Sequence, residues 1–399
     1  MSSPPPSAEP QFGSSGSASR RVLLCLSHLR WKFVFQRPQH LLTRAAKTYR
    51  VLYVEEPIFN GSSKPFFESS AEAHGVTVYV PVFPEGFAGE INLVLEEMIE
   101  RLVANVEPAD LVLWYYTPMA LQFTRHLSAA AIVYDNMDEL SAFRDAPPKL
   151  LALESELLDC ADIVFTGGHS IYEAKRHRHR NIHPFPSSID VPHFSAARRS
   201  PGADPVDQAA IPRPRLGFFG VVDERMDLDL VDGIAGLRPD WHIVMLGPVV
   251  KIDKAGLPQR PNIHWLGMKG YDELPSYLAG WQIGIMPFAI NEATRFISPT
   301  KTPEFLAAGL PVVSTPIRDV IRPYGAAGLV EIAPTTEEFV SKAERLMRER
   351  DPSWLQAVDR QLATTSWDRT WESMEAKIDG CRMPPQPVFT QLEKGVARV

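Results

Sequence analysis

Apolar positions along the chain follow two alternating patterns. Short, nearly continuous runs occur at Val22–Leu26, Arg50–Val54, Val76–Val82, Leu111–Tyr116, Ala131–Tyr134 and Ile163–Thr166. Such runs suit strands buried on both faces of a parallel sheet. Between them, apolar residues recur three and four apart, as with Leu41, Leu42 and Ala45 in Gln39–Thr48. This spacing predicts helices there, at Glu90–Val106, after Pro118, at Leu150–Leu158 and at Ile171–Arg176. The alternation lapses between Pro184 and Pro214 into Pro, Ser, Ala and charge, and then resumes. Strands are predicted at Leu216–Phe219, His242–Leu246, Ile263–Leu266, Gln282–Met286, Pro311–Ser314 and Leu329–Ile332. The helices among them fall at Met226–Leu237, Asp272–Ala279 and Pro303–Ala308. Two helical regions close the chain, Thr336–Arg348 and Trp354–Ile378. Alternating strands and helices imply right-handed crossovers and doubly wound sheets, so the fold class is α/β with two Rossmann-like domains. Ligands of such domains sit beyond the C-terminal strand ends, here along a cleft between the two.

Length agrees, since 399 residues exceed one ordinary core. The expected boundaries are a tail at 1–19, an N-terminal domain at 20–195 and a linker at 196–213. A C-terminal domain at 214–350, closing helices at 351–380 and a tail at 381–399 follow. Prolines mark the edges: of 36, seven lie within 1–19 and 382–399 and seven more within 184–214. The first tail, rich in Ser, Pro, Gly and Ala, has little to bury and is expected to be disordered. The formal charge of −7 argues against a nucleic-acid partner held by bulk phosphate attraction. No apolar run reaches membrane-spanning length, the N-terminus lacks signal-peptide regions, and three scattered cysteines make no disulfide framework. These features predict a reduced, cytoplasmic protein.

Several catalytic signatures are missing, among them G-x-G-x-x-G after the first strand, the phosphate-binding G-x-x-x-x-G-K-[ST], H-E-x-x-H and G-x-S-x-G. Asp227-Leu-Asp229 spells D-x-D, but on a helix those side chains diverge and read as solvated surface, so no metal site is expected. The informative stretch is Pro287–Thr315. There a strand ends at Met286, a polar loop follows, and a helix starts near Pro299 to Pro303, where proline is tolerated. Such a helix start offers N–H groups to a diphosphate. Lys301 adds charge, Ser298 and Thr300 add hydroxyl donors, and Glu304 can accept from a ribose diol. On spacing alone, Lys301 and Glu304 fit a capping surface pair equally well.

Pro299-x-Lys301-x-x-Glu304-Phe-Leu-Ala-Ala-Gly-Leu-Pro-Val-Val-Ser-Thr315 resembles the donor segment of GT-B glycosyltransferases, especially those like glycosyltransferase family 4. Ser27–Leu41 and Tyr134–Glu139 are similar to segments of bacterial cell-surface and exopolysaccharide glycosyltransferases. The resemblance implies a nucleotide-diphosphate sugar, with a UDP-sugar favoured, in the C-terminal domain. It also implies a glycan or lipid-linked acceptor in the N-terminal domain, and a last helix, starting near Ser366, that crosses back to it. Glu304, Lys301 and Arg225 carry over as donor residues. Two departures stand out: Phe296 occupies the place of a second acid, and Val221 that of one of two basic residues.

With no cofactor or metal cluster, charge on the leaving diphosphate must be met by preorganised groups, for which Thr294, Arg295, Ser298 and Lys301 are candidates. In the N-terminal domain His28, Asp135 and Asp138 are candidate catalytic groups at the ligand edge, and Arg37 is a candidate for an acceptor phosphate. Each also fits a structural role in a loop or helix start. Lys175-Arg-His-Arg-His-Arg180 reads either as a solvated helix end or as peripheral membrane contact at the inner face. Two other functions share the frame: a sugar-nucleotide epimerase, which consumes donor without acceptor, and a non-catalytic nucleotide-sugar binder.

Overall fold

The computed structural model describes residues 20–199, 204–349 and 351–381, with the backbone of Gln386 and Pro387. Most of both expected tails lies outside these residues. The N-terminal strands are β1 (Val22–Leu26), β2 (Arg50–Val54), β3 (Ile58–Asn60), β4 (Phe66–Ala71) and β5 (Val76–Pro84). They continue with β6 (Leu111–Tyr115), β7 (Ser128–Ala129), β8 (Ala131–Asn136), β9 (Ile163–Thr166) and β10 (Ile182–Pro184). One sheet runs β10-β9-β8-β6-β1-β2-β5-β3, all parallel, with β4 antiparallel on β5. The second sheet comprises β11 (Arg215–Phe219), β12 (His242–Leu246), β13 (Ile263–Gly267), β14 (Ile283–Met286), β15 (Val312–Ser314) and β16 (Glu331–Ile332). It is parallel throughout, in the order β13-β12-β11-β14-β15-β16. Gln386–Pro387 (β17) pairs with β7.

Both sheets thus change direction beside their first strand, between β1 and β6 and between β11 and β14. Helices from neighbouring crossovers part at these switch points and leave a crevice. Fully buried runs such as Val22–Leu26 and Leu111–Tyr115 are why the strands sit centrally, covered on both faces.

The closing region, one stretch by apolar spacing, is two helices, Pro352–Leu362 and Trp367–Gly380, the second starting where the resemblance placed the last helix. The break has a local cause: Ser366 caps the second helix, accepting a hydrogen bond from the Arg369 amide. The first helix packs Val358 and Leu362 into the C-terminal core. The second buries Trp367 and Trp371 in the N-terminal core. Trp367 stacks on His40 at 4.5 Å, and Trp371 meets Tyr49 and Trp114 at about 6 Å. Losing either Trp would cost about 3–5 kcal/mol. The segment read as a linker also carries short helices, Ala196–Arg199 and Val206–Ala209, and Asp204 pairs with Arg215 at 2.9 Å.

Candidate active site

The loops after β11 and β12 lie against each other, joined by backbone bonds between Val222 and Pro248 and between Val250 and Val222. Gly220 and Gly247 make this approach possible. Their φ values are +137° and +136°, and a Cβ on Gly247 would stand 1.8 Å from the Gly220 carbonyl oxygen. A Cβ on Gly220 would in turn meet Lys301 Cε at 2.7 Å. The two glycines therefore form a side-chain-free floor under Lys301.

Above that floor is a cavity of about 310 Å³. The C-terminal domain supplies Gly220, Gly247, Tyr271, Thr300, Lys301 and Glu304 to it, and the N-terminal domain covers it with the loop from Trp31 to Phe35. Phe35 stacks on Tyr271 across the boundary at 4.4 Å, and Tyr271 stacks on His193 at 4.2 Å. Glu304 lies on the helix Lys301–Ala307 and is 6% exposed. Burial pushes its carboxyl up to about 7, although the Lys301 charge opposes the rise. Burial lowers the Lys301 ammonium, whose Nζ donates to Thr300 Oγ1 at 3.2 Å. Glu304 Oε2 and the Tyr271 hydroxyl are buried with no hydrogen-bond partner among the described residues. Two such orphans facing one cavity are a demand for polar groups of a ligand.

A neighbouring crevice joins Lys301 to the other domain and is lined by Arg225, Ser298 and Thr300 on one side and Asp138 on the other. Asp138 faces His28, Lys301 and Arg225. His28 follows β1 at the N-terminal switch point, with its Nδ1 buried and unpartnered among the described residues. Burial lowers its pKa against the pull of Asp138, which keeps the imidazole neutral near pH 7. The structure therefore brings together His28, Asp138, Arg225, Ser298, Thr300, Lys301 and Glu304.

The remaining candidates are engaged by the fold or lie outside the cleft; Arg37 also lines this crevice. Arg37 and Asp135 are 3% and 0% exposed and form a bidentate pair at 2.8 and 2.9 Å, and Arg37 also donates to the Phe185 carbonyl. Their charges answer each other, which corrects the expected roles in acceptor binding and base catalysis. Thr294 is buried, its hydroxyl donating to the Ala289 carbonyl inside a turn capped by Asn291, so it has no proton to offer a diphosphate. Arg295 is exposed, pairs with Glu292 at 3.4 Å and lies over Phe296, outside the cleft lining. Arg225 stays in the crevice, but Asp223 holds its guanidinium from 2.7 Å. Asp227 caps the helix Leu228–Leu237 and Asp229 is exposed, so the D-x-D is no paired ligand.

In the basic run, Lys175 is buried between Glu139 and Glu154, while Arg176, Arg178 and Arg180 are exposed. Tyr271 and Gly247 are not among the sequence candidates, and the Trp31–Phe35 loop falls in the Ser27–Leu41 resemblance without a donor-side role; a Gly-Pro pair directly after β12 was the available sign of a ligand loop.

Comparison with known proteins agrees with this geometry. Residues 213–349, which hold the floor, Lys301 and Glu304, match the family described as Glycosyl transferases group 1. A Bacillus subtilis (strain 168) protein named as a teichuronic acid biosynthesis glycosyltransferase, TuaH, is 23% identical over 294 residues, 68% of this chain and 72% of its own. Sucrose-phosphate synthase from Thermosynechococcus elongatus superposes with a TM-score of 0.65 at 13% identity, covering 90% of this chain and 99% of that one. Anabaena HepE, solved in complex with UDP and glucose, gives 0.62 at 15% identity over 90% of this chain and 100% of its own. Two doubly wound domains, a cleft walled by both and a C-terminal domain of the group 1 type lead to one conclusion: this chain is a glycosyltransferase of the GT-B fold.

Proposed function

We propose that the enzyme moves a sugar from a nucleoside-diphosphate sugar, a UDP-sugar first among them, to a glycan or lipid-linked acceptor in cell-surface polysaccharide assembly. The observation that carries this reading is the unpartnered Glu304 Oε2 beside the unpartnered Tyr271 hydroxyl, both lining the one cavity. A ribose diol supplies hydrogen-bond donors for the carboxylate. The diphosphate then extends over Gly220 and Gly247 toward Lys301, with Thr300 and Ser298 as hydroxyl donors and Arg225 behind them. As the anomeric bond breaks, charge grows on the diphosphate, and an ammonium already fixed beside it lowers that barrier without reorganising. This cation set is the basis for proposing metal-independent transfer. Neutral His28, facing Asp138, is suited to take the acceptor hydroxyl proton. The UDP preference leans on the HepE complex, and the cell-surface role on the TuaH relationship.

No helix among the described residues is long and apolar enough to cross a membrane. We place the enzyme in the cytoplasm, with Arg176, Arg178 and Arg180 available for peripheral contact with anionic lipid. Calorimetry with UDP, GDP and dTDP, in the presence and absence of a chelator, tests the donor reading. Tight binding of one nucleotide, lost in Glu304→Ala and insensitive to chelation, is expected. Equal affinity in wild type and variant refutes the placement.

A further inference from the structure

The ligand edge of the N-terminal sheet holds a separate pocket of about 290 Å³ beside the ends of β1, β2 and β6. Its floor is made of core side chains such as Leu26, Val54 and Leu95. Phe59 and Phe123 add aromatic faces, and Glu56, Asn92, Thr117 and Gln122 place polar groups around them. Two of these are fixed in orientation: Asn92 donates to Gln122 Oε1 at 3.4 Å, and Gln122 donates to the Met119 carbonyl at 3.2 Å. The carboxylate of Glu56 is exposed and has no hydrogen bond or ion pair among the described residues. Its neighbour Glu55 is also acidic, but it is buried and already accepts from Arg30 and the Trp31 amide.

The pocket adjoins the proposed transfer point. Ser27 lines it and His28 is the next residue. Lys251, from the loop after β12, faces both His28 and Glu56. Lys251 holds a φ of +59°, a left-handed conformation that costs a non-glycine residue about 1–3 kcal/mol. Such outliers cluster at ligand sites.

We infer that this pocket binds the terminal sugar ring of the acceptor, and that this ring is uncharged. A pyranose has an apolar face for Phe59 or Phe123 and a hydroxyl edge for Glu56, Asn92 and Gln122. A phosphate or carboxylate would meet the unpaired Glu56 carboxylate. Arg30 at the rim is already taken by Glu55 and the Glu56 and Pro57 carbonyls, and Lys251 faces Glu56, so an anion would have to compete with Glu56 for it. A prenyl chain would strip water from Glu56, Asn92 and Gln122 and return no hydrogen bonds. At the small end of ligand pockets, roughly 300 Å³, the volume suits one ring rather than a long chain. The inference rests on the donor reading above for the position of the transfer point.

Saturation-transfer NMR on the full chain, with Kd values from titration, tests it. The probes are methyl glycosides of neutral hexoses, the matching methyl glucuronide, a hexose 6-phosphate and farnesol. A neutral glycoside should bind at least about tenfold tighter than the glucuronide or the phosphate, and farnesol should not displace it. Glu56→Gln should weaken the neutral glycoside about tenfold, a charge-assisted hydrogen bond having become an ordinary one, and should narrow the discrimination against anions. Gln122→Ala, at the opposite edge, should weaken it as well. Equal or tighter binding of an anionic sugar, displacement by farnesol, no glycoside binding, or unchanged affinity in both variants overturns the inference. UDP titration of the same samples separates the two readings: failure of wild type to bind UDP defeats the donor placement, whereas UDP binding with any of these glycoside results defeats this inference alone.

Discussion

Glu304→Gln offers a direct reading of how dry the donor cavity is. The carboxyl stands at about 7 in the folded protein against an ordinary 4.5. At about 1.4 kcal/mol per unit, that difference amounts to about 3 kcal/mol. Its sign is destabilising as pH rises. Below pH 4.5 the group is protonated whether the chain is folded or not. Between pH 4.5 and 7 the unfolded chain ionises while the folded one keeps its proton, and above 7 the full penalty is present. Glutamine keeps the shape and never ionises. The unliganded variant should therefore match wild type near pH 4 and exceed it at pH 8 by on the order of 2–3 kcal/mol. That figure is already net of the attraction between Lys301 and the ionised carboxylate. For a domain of this size that is roughly 5–10 °C in Tm. Urea and thermal unfolding of both proteins from pH 4 to 9 measure it, and all other titrating groups cancel in the difference. Saturating UDP should reverse the order at pH 8 by stabilising wild type far more than the variant. Parallel pH–stability curves for the two proteins would refute the reasoning, since they would mean that Glu304 is solvated and ionised like a surface carboxylate.

Lys301→Ala should lower kcat by about 100-fold or more with a smaller change in donor KM, as expected for a charge that matters most in the transition state; steady-state kinetics decide. Arg37→Met or Asp135→Leu alone should each cost about 3–5 kcal/mol in urea unfolding, and the double replacement should recover most of it. If the pair were instead catalytic, the single variants would fold normally and lose turnover. Gly247→Ala should abolish UDP binding in calorimetry while near-native circular dichroism persists, because the new methyl displaces the Gly220 carbonyl that it would otherwise overlap.

The architecture was legible because parallel strands buried on both faces leave uninterrupted apolar runs. The six strands of the C-terminal sheet and the six inner strands of the N-terminal sheet were found to within one or two residues; β3, β4 and β10 were not. What escaped notice lies at the edges. Phe66–Ala71 is half-exposed and follows Gly61-Ser-Ser-Lys-Pro65, so it carries neither the apolar run nor a tight two-residue turn, yet it pairs along its whole length with β5. The start of the last helix at Ser366 was expected from the family resemblance, whereas the apolar spacing of Trp354–Ile378 alone runs across it.

For the site, residue type and chain position pointed to groups that the structure brings to one cleft, but could not say which charges were already matched. Four cations stood as candidates for an anionic ligand: Arg37, Arg225, Arg295 and Lys301. Three have a carboxylate of the fold within ion-pair distance, namely Asp135, Asp223 and Glu292. The first of these partners lies 98 residues away in the chain and becomes a neighbour only because β8 ends, and the helix after β1 begins, at the same sheet edge. Lys301 has no such partner among the described residues; its nearest is the Thr300 hydroxyl. Glu304, one turn on, acts on it through space without forming an ion pair. An incoming diphosphate must break an existing ion pair to engage Arg37, Arg225 or Arg295 fully, and breaks none to engage Lys301. By that comparison Lys301, held over two glycines, is the cation most free to follow charge onto a leaving group.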